Sequence, residues 1–286
     1  MSEQKFIEIS KGFLIDAGYE TAFSELGLTS IDAVFSYSAG KNLAKDNLAR
    51  FRSRYQFEIN SPASPLPTTV FLKRYDRPPI LTQLRNWLCH RRRASMAFLE
   101  FEPAKKLAEA GINTPKTISY GEQWGILFEK RSFIITEKIP DAEALERKLP
   151  AYFSGPTTAE NLKLRRAFVA QLAAFIRKFH ETNYRHRDLY FSHIFYSGQF
   201  HLIDLARAFR PILSRRRFRI KDLTQLYYSA QRQYFSNADR LRFYLRLTGQ
   251  SKLNRKDKLF IRKVINKAKR MARHDIKHGR PAPFAS

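Results

Sequence analysis

The chain has 286 residues, 43% of them hydrophobic, and its 52 lysines and arginines against 26 aspartates and glutamates leave a formal charge of +26. That apolar content over that length excludes a disordered chain and supports one large core or a two-lobed one, while the charge demands an anionic partner: nucleic acid, anionic lipid headgroups, phosphorylated glycans or an acidic protein. No segment approaches the roughly 18 uninterrupted apolar residues that cross a bilayer, Met1-Ser2-Glu3-Gln4-Lys5 lacks the apolar centre of a signal peptide, and the single cysteine, Cys89, rules out an internal disulfide, so a reducing, cytoplasmic location is expected.

Residues 1–30, with Phe6, Ile7, Ile9, Phe13, Leu14 and Ile15 between polar breaks, are expected as an N-terminal extension whose strand or helix leads into a first lobe. Ile31 to Tyr37 has the character of a strand, Ser38 to Asn42 of a turn holding Gly40 and Lys41, and Phe51 to Ile59 alternates as a strand should. Three prolines place 61–67 in a loop outside any sheet. Thr68 to Tyr75 is a β-branched and aromatic run with Lys73 inside it; taken alone, such a lysine is most often a solvated face residue.

Ile80 to Leu88 carries apolar residues at helical spacing and runs into His90-Arg91-Arg92-Arg93. Two environments suit it: an anionic membrane surface that takes Leu84, Trp87 and Leu88, or the chain's own core with the arginines solvated. Glu100 to Ala110 predicts a helix closed by Gly111 in a left-handed cap. Strands are expected around 117–120, 125–128 and 133–136, followed by Glu137-Lys138-Ile139-Pro140 as a connection.

In the second half, Thr157-Thr158-Ala159-Glu160 fits a capping box, and the helix after it places Leu164, Phe168, Leu172, Phe175, Ile176 and Phe179 on one buried face. It delivers the chain to His186-Arg187-Asp188-Leu189-Tyr190-Phe191-Ser192-His193. A short strand, Phe200 to Ile203, then presents Asp204. A carboxylate just past an apolar strand, soon after another beyond a buried helix, is where a metal and a substrate hydroxyl can be handled together. Arg207 to Arg219 is rich in arginine, including Arg215-Arg216-Arg217, which suits an anionic substrate or a solvated face. Ile220 to Ala230 predicts a helix whose Asp222 accepts backbone bonds from the 186–193 loop. A last helix over 252–278 has Phe260, Val264, Ala268 and Met271 beneath a basic outer face, and 279–286 form a tail.

The His186-Arg187-Asp188-Leu189 run with Asp204 resembles the catalytic loop and metal-binding aspartate of the protein-kinase superfamily. The likeness is closer to the lipopolysaccharide core heptose kinases of Gram-negative bacteria, the Kdo/WaaP-type lipopolysaccharide kinases. It is carried by 186–195, by Leu202-Ile203-Asp204-Leu205, and by Arg217 to Leu223 with Leu226-Tyr227-Tyr228-Ser229-Ala230. In the first half Phe133-Ile134-Ile135-Thr136-Glu137 and the helix from Glu100 with Ile112-Asn113-Thr114-Pro115 share it, so that it covers roughly 31–275.

The resemblance implies an α+β, two-lobed protein-kinase-like fold: an N-lobe over 31–137 with a small antiparallel sheet and one helix, and a mainly helical C-lobe over 138–278. It implies ATP and Mg2+ as cofactors and phosphorylation of a heptose hydroxyl on the lipopolysaccharide inner core, at the cytoplasmic face of the inner membrane. The expected partners are an anionic glycolipid acceptor, an anionic membrane surface and an acidic protein, with nucleic acid not among them. By motif match Asp188 accepts the hydroxyl proton, Asp204 holds magnesium, and Lys73 positions phosphates with Glu100, which the family spacing favours over Glu102. Gly40 and Lys41 would cover the phosphates, and Glu137 and Ile139 would offer backbone groups to adenine. Two departures stand out. His193 occupies the metal position where protein kinases have asparagine, and since nitrogen is a poor ligand for magnesium, hydrogen bonding to phosphate or orienting the loop are its other roles. Leu205-Ala206 replaces Phe-Gly with no A-P-E-like end to the segment, so switching by phosphorylation is not expected. The alternatives are a kinase for another acceptor, a Kdo sugar or a protein side chain, and a catalytically degenerate basic binding protein.

Overall fold

A computed structural model describes residues 4–43, 49–153 and 158–283, and the chain divides into two units, Met1–Lys106 with Pro115–Pro140 and Leu107–Thr114 with Asp141–Ser286. The first unit runs β1 (Phe6–Ser10), β2 (Phe13–Asp16), α1 (Glu20–Glu25), α2 (Ile31–Ser36), β3 (Lys41–Asn42), β4 (Arg52–Ser61), β5 (Ser64–Asp76), α3 (Ile80–His90), α4 (Phe98–Glu109), β6 (Thr117–Trp124) and β7 (Glu129–Glu137). Its seven strands form one antiparallel sheet in the order β1-β2-β6-β7-β5-β4-β3.

Alternation along β5 sorts its side chains between two clusters. Val70 and Leu72 enter a core with Phe13, Ile15, Tyr19, Phe23 and Phe133, whereas Tyr75 joins Met96, Ala97, Tyr120 and Ile134 with Phe98 and Phe101 of α4 packed against them. Lys73 shares the parity of Tyr75. The α4 side is fixed by rings: Phe101 stacks on Tyr120 with centroids 4.4 Å apart.

Several expectations are corrected here. Residues 6–16 are not an extension, because β1 and β2 belong to the sheet and Phe13 and Ile15 are wholly buried. Residues 31–36 are helix, capped by Ser30, whose Oγ accepts the amide of Ala33 at 3.1 Å. Lys41 lies on β3 opposite Gln56 rather than in a turn, and residues 44–48, between β3 and β4, fall outside the described residues. The prolines do not keep 64–67 out of the sheet. Pro65 and Pro67 lie where β5 extends past the end of β7 and where its pairing with β4 is irregular, between Thr68 and Ser64, positions at which a missing donor is tolerated. Gly125 to Phe128 is a turn between β6 and β7 rather than a strand. Trp87 packs on its own unit, stacked on Phe128 at 5.6 Å with its indole N–H donating to the Ala94 carbonyl, while Leu84 and Leu88 stay exposed.

The second unit runs β8 (Glu143–Ala144), α5 (Leu145–Phe153), α6 (Ala159–Glu181), β9 (Ile194–Tyr196), β10 (Phe200–Leu202), α7 (Arg215–Ser229), α8 (Asn237–Thr248) and α9 (Arg255–Lys277). Its three strands pair in the order β10-β9-β8. α6 is the buried helix expected, with Phe168, Leu172, Ile176 and Phe179 inside, although Leu164 points to solvent. Its cap is Thr158, whose hydroxyl accepts from the Asn161 amide, one residue later than the expected box; Thr157 lies outside the described residues. α7 begins at Arg215, so the arginine run is its first turn, and α9 buries Phe260, Val264 and Ala268 as its periodicity requires. Among the described residues no helix is long and apolar enough to cross a membrane.

Candidate active site

In the first unit, Lys73 on β5 and Glu100 in the first turn of α4 meet with Nζ 2.5 Å from Oε1, their side chains 17% and 7% exposed. Tyr75, two residues along the same strand face, donates its hydroxyl to Oε2 of Glu100 at 3.3 Å. Glu102 instead makes a surface pair with Arg92 at 2.9 Å. What aims Glu100 is the segment before it. The buried carboxylate of Glu129 accepts the Met96 amide at 2.9 Å and the Ser132 hydroxyl, and that hydroxyl in turn accepts the Ala97 amide at 3.0 Å. Burial pushes the Glu129 carboxyl up to about 7 against the hydrogen bonds that oppose it.

Glu137 ends β7 with its amide given to the Lys116 carbonyl at 2.8 Å and its carboxylate bonded to the Tyr19 hydroxyl and 3.4 Å from Lys116 Nζ. Its side chain is structural. Gly40 sits against β4, where an added Cβ would lie 2.9 Å from the Gln56 carbonyl oxygen, so glycine is required there by the close approach of two backbones.

In the second unit the loop at 186–193 hangs from one face of α7. Asp222, Gln225 and Ser229, at helical spacing, take the loop amides in turn: His186 and Arg187 donate to the two oxygens of Asp222 at 3.0 and 2.8 Å, Leu189 donates to Gln225 Oε1 at 3.1 Å and Phe191 to Ser229 Oγ at 3.1 Å. Asp222 is wholly buried. These bonds hold Arg187 at φ 69, a conformation a non-glycine residue keeps only when its surroundings impose it. The backbone role expected of Asp222 is the one it has.

A second set of bonds ties the loop to the strand before Asp204. The Ile203 amide donates to the His193 carbonyl at 3.1 Å, and the Ile203 carbonyl accepts from His186 Nε2 at 3.0 Å. Burial holds the His186 imidazole well below its usual range and therefore neutral. A carbonyl can only accept, so Nε2 carries its proton. The same logic makes Nδ1 of His193 the donor to the Asp188 carbonyl at 2.7 Å, which leaves its Nε2 3.9 Å from the Asp204 carboxylate. Asp204 itself is left-handed at φ 57.

The Asp188 carboxylate is gripped by cations from elsewhere in the unit. Arg207 donates two bonds from Nη1, at 3.0 and 2.8 Å, Gln225 Nε2 lies at 3.4 Å and Lys221 Nζ at 3.9 Å. Burial, with Arg207 beside it, pulls the Lys221 ammonium down to about 8 although Asp188 opposes the shift. The sequence reading did not single out Arg207, Lys221 or Gln225. Asp222, Thr224 and Gln225 are all buried, and buried polar residues need partners, which Asp222 and Gln225 find in the 186–193 loop.

The Asp204 carboxylate faces the His193 nitrogen at 3.9 Å, and among the described residues no group of three His, Cys, Asp or Glu is arranged to hold a metal ion. A carboxylate suits magnesium, which takes one or two of them and completes its shell from phosphates and water, whereas the imidazole nitrogen does not.

Residues 69–246 match the model of the lipopolysaccharide kinase (Kdo/WaaP) family. The chain is 29% identical over 184 residues to the lipopolysaccharide core heptose(I) kinase WaaP of Escherichia coli K12, covering 61% of this chain and 68% of that one. Its identity to WaaP of Pseudomonas aeruginosa is 31% over 153 residues, covering 50% and 56% respectively. A solved structure of WaaP in complex with acyl carrier protein matches with a TM-score of 0.67 at 23% identity, over 88% of this chain and 96% of that one. The likeness establishes the α+β, protein-kinase-like fold.

Proposed function

Since the chain belongs to the lipopolysaccharide kinase (Kdo/WaaP) family, phosphotransferases with a hydroxyl acceptor, we propose that it transfers the γ-phosphoryl group of ATP to a heptose hydroxyl of the lipopolysaccharide inner core. The observation that supports this reading is that the loop carrying Asp188 is bonded, through His186 and His193, to Ile203, the residue before Asp204. Asp188 accepts the proton of the attacking sugar hydroxyl. His193 orients the loop through the Asp188 carbonyl. Asp204 holds magnesium, which when bound supplies charge neutralisation at the phosphates.

Lys73, fixed by Glu100, pairs with the nucleotide phosphates, and the carbonyl of Glu137 and the amide of Ile139 meet the adenine edge. Arg207 and Lys221 supply positive charge beside Asp188. The +26 charge supports an anionic glycolipid acceptor at the cytoplasmic face of the inner membrane and an acidic protein partner, a kind of partner matched by the acyl carrier protein bound to WaaP in the related structure.

The test is phosphate transfer from labelled Mg-ATP to core lipopolysaccharide lacking inner-core phosphate, with a Kdo-only lipid and a protein mixture as parallel acceptors. Transfer to the heptose-bearing core and its loss in Asp188→Ala are expected. Equal transfer by Asp188→Ala would remove the assignment of the base, and transfer to the other acceptors alone would move the substrate.

A further inference from the structure

Helix α3 turns an apolar face outward. At 100° per residue Ile80, Leu84, Leu88 and Leu81 fall in an arc of about 100°, and all four are exposed, Leu81 and Leu88 each at 80%. The other side, with Gln83 and Trp87, faces the unit, where Gln83 bonds the Pro78 and Glu129 carbonyls. The stripe does not end with the helix. Ile80 lines one groove with Ile126 and Leu127 of the β6–β7 turn, and Ile126 is fully exposed at its tip.

Cations rim this surface. From Asp76 to Arg93 there is one acidic residue against five arginines, with Arg85 on the edge of the stripe and Arg91 in the left-handed cap, both exposed. Behind it stand the chain's two tryptophans: Trp87 packs against Phe128 and 6.2 Å from Trp124, whose ring lies under Arg93 at 4.4 Å. Leucines projecting between arginines, with tryptophans at the boundary, match the two-layered chemistry of a bilayer interface, where acyl chains lie below anionic headgroups. Acidic groups alone would satisfy the arginines, whereas Leu81, Leu88 and Ile126 call for an apolar layer beneath them, which a bilayer supplies in that order.

We propose that the outer face of α3, together with the β6–β7 turn, docks on an anionic lipid bilayer, its leucines and Ile126 entering the interface and Arg85 and Arg91 meeting headgroup phosphates. The surface deepens the membrane location assumed for the kinase reading, but its test needs neither ATP nor acceptor, so either can fail alone.

The full chain is mixed with vesicles of phosphatidylethanolamine and phosphatidylglycerol, with and without brominated acyl chains. Sedimentation reports binding, and quenching of Trp87 and Trp124 reports which face meets the lipid. The parent protein is expected to bind and to be quenched. The double variant L81S/L88S loses about tenfold or more in binding, together with the quenching, while its thermal unfolding matches the parent. R85E and R91E each cost about fivefold or more, an effect that disappears with neutral phosphatidylcholine vesicles. Failure of the parent to bind, binding without quenching, or parental binding by L81S/L88S would each overturn the proposal. So would loss of binding by that variant to an acidic carrier protein with vesicle binding intact, which would make this face a protein-docking surface.

Discussion

Replacing Asp222 with alanine removes both oxygens that hold the start of the 186–193 loop. The His186 and Arg187 amides, bonded at 3.0 and 2.8 Å in a site with no solvent exposure, lose their acceptor. The nearby imidazole of His180, 3.4 Å away and held neutral by burial, loses Asp222 as a partner as well. Hydrogen bonds to a charged acceptor contribute about 1.5–3 kcal/mol each, so even the low end for two gives a loss of about 3 kcal/mol. At about 2–4 °C per kcal/mol for a unit of this size, the unfolding midpoint should fall by about 6–12 °C. Activity should fall further than stability, because Arg187 no longer has a reason to stay left-handed and Asp188 follows it directly. Thermal unfolding followed by circular dichroism, with phosphate transfer measured well below the new midpoint, separates the two effects. Asp222→Asn retains one acceptor oxygen and should fall between. An alanine variant that melts within a degree of the parent and transfers phosphate at the parental rate would refute the view that this carboxylate holds the loop.

Lys73→Met and Glu100→Gln should each lower transfer by about 100-fold or more with little change in acceptor KM, since each removes positioned charge at the nucleotide; initial rates across ATP and acceptor concentrations check this. Lys221 should react with an acylating reagent with a midpoint near pH 8, where its ammonium titrates. Asp188→Asn should move that midpoint lower, because Asp188 favours the charged form; mass spectrometry of the labelled peptide reads it. Glu129 has its folded-state proton affinity raised from 4.5 to about 7. Its stabilisation is present below pH 4.5 and is lost as pH rises through about 7. Urea midpoints of Glu129→Gln and the parent should therefore diverge across that window, and parallel curves would show that the carboxyl is already charged in the fold.

The second unit was legible where function is written in contiguous residues. His186 to His193 and Leu202 to Leu205 are contiguous runs, and Asp222 sits in a third such run, Arg217 to Leu223, that resembles the family. Arg207, Lys221 and Gln225 escaped because they converge on Asp188 through the folded path of α7 and the turn after Asp204, and long-range convergence leaves no spacing to read. In the first unit, 31–36 was misread because a short apolar run fits strand and helix equally. Ser30 and Asp32, a cap and an acidic first turn, were the signals that separate them. The exposed Ile126 and Leu127 misled in a different way. Apolar side chains normally mark burial, and a turn that keeps them in solvent imitates a strand.

Ile203 ties the strand before Asp204 to both ends of the 186–193 loop without using its side chain. Both of its bonds run through the main chain, to the His193 carbonyl and from His186 Nε2. The position should accept valine, leucine or methionine with little consequence. Proline, which has no amide hydrogen, would cut the link to His193. A survey of residue types would rank this site as ordinary filler, and a mutational scan that includes proline would rank it beside the aspartates.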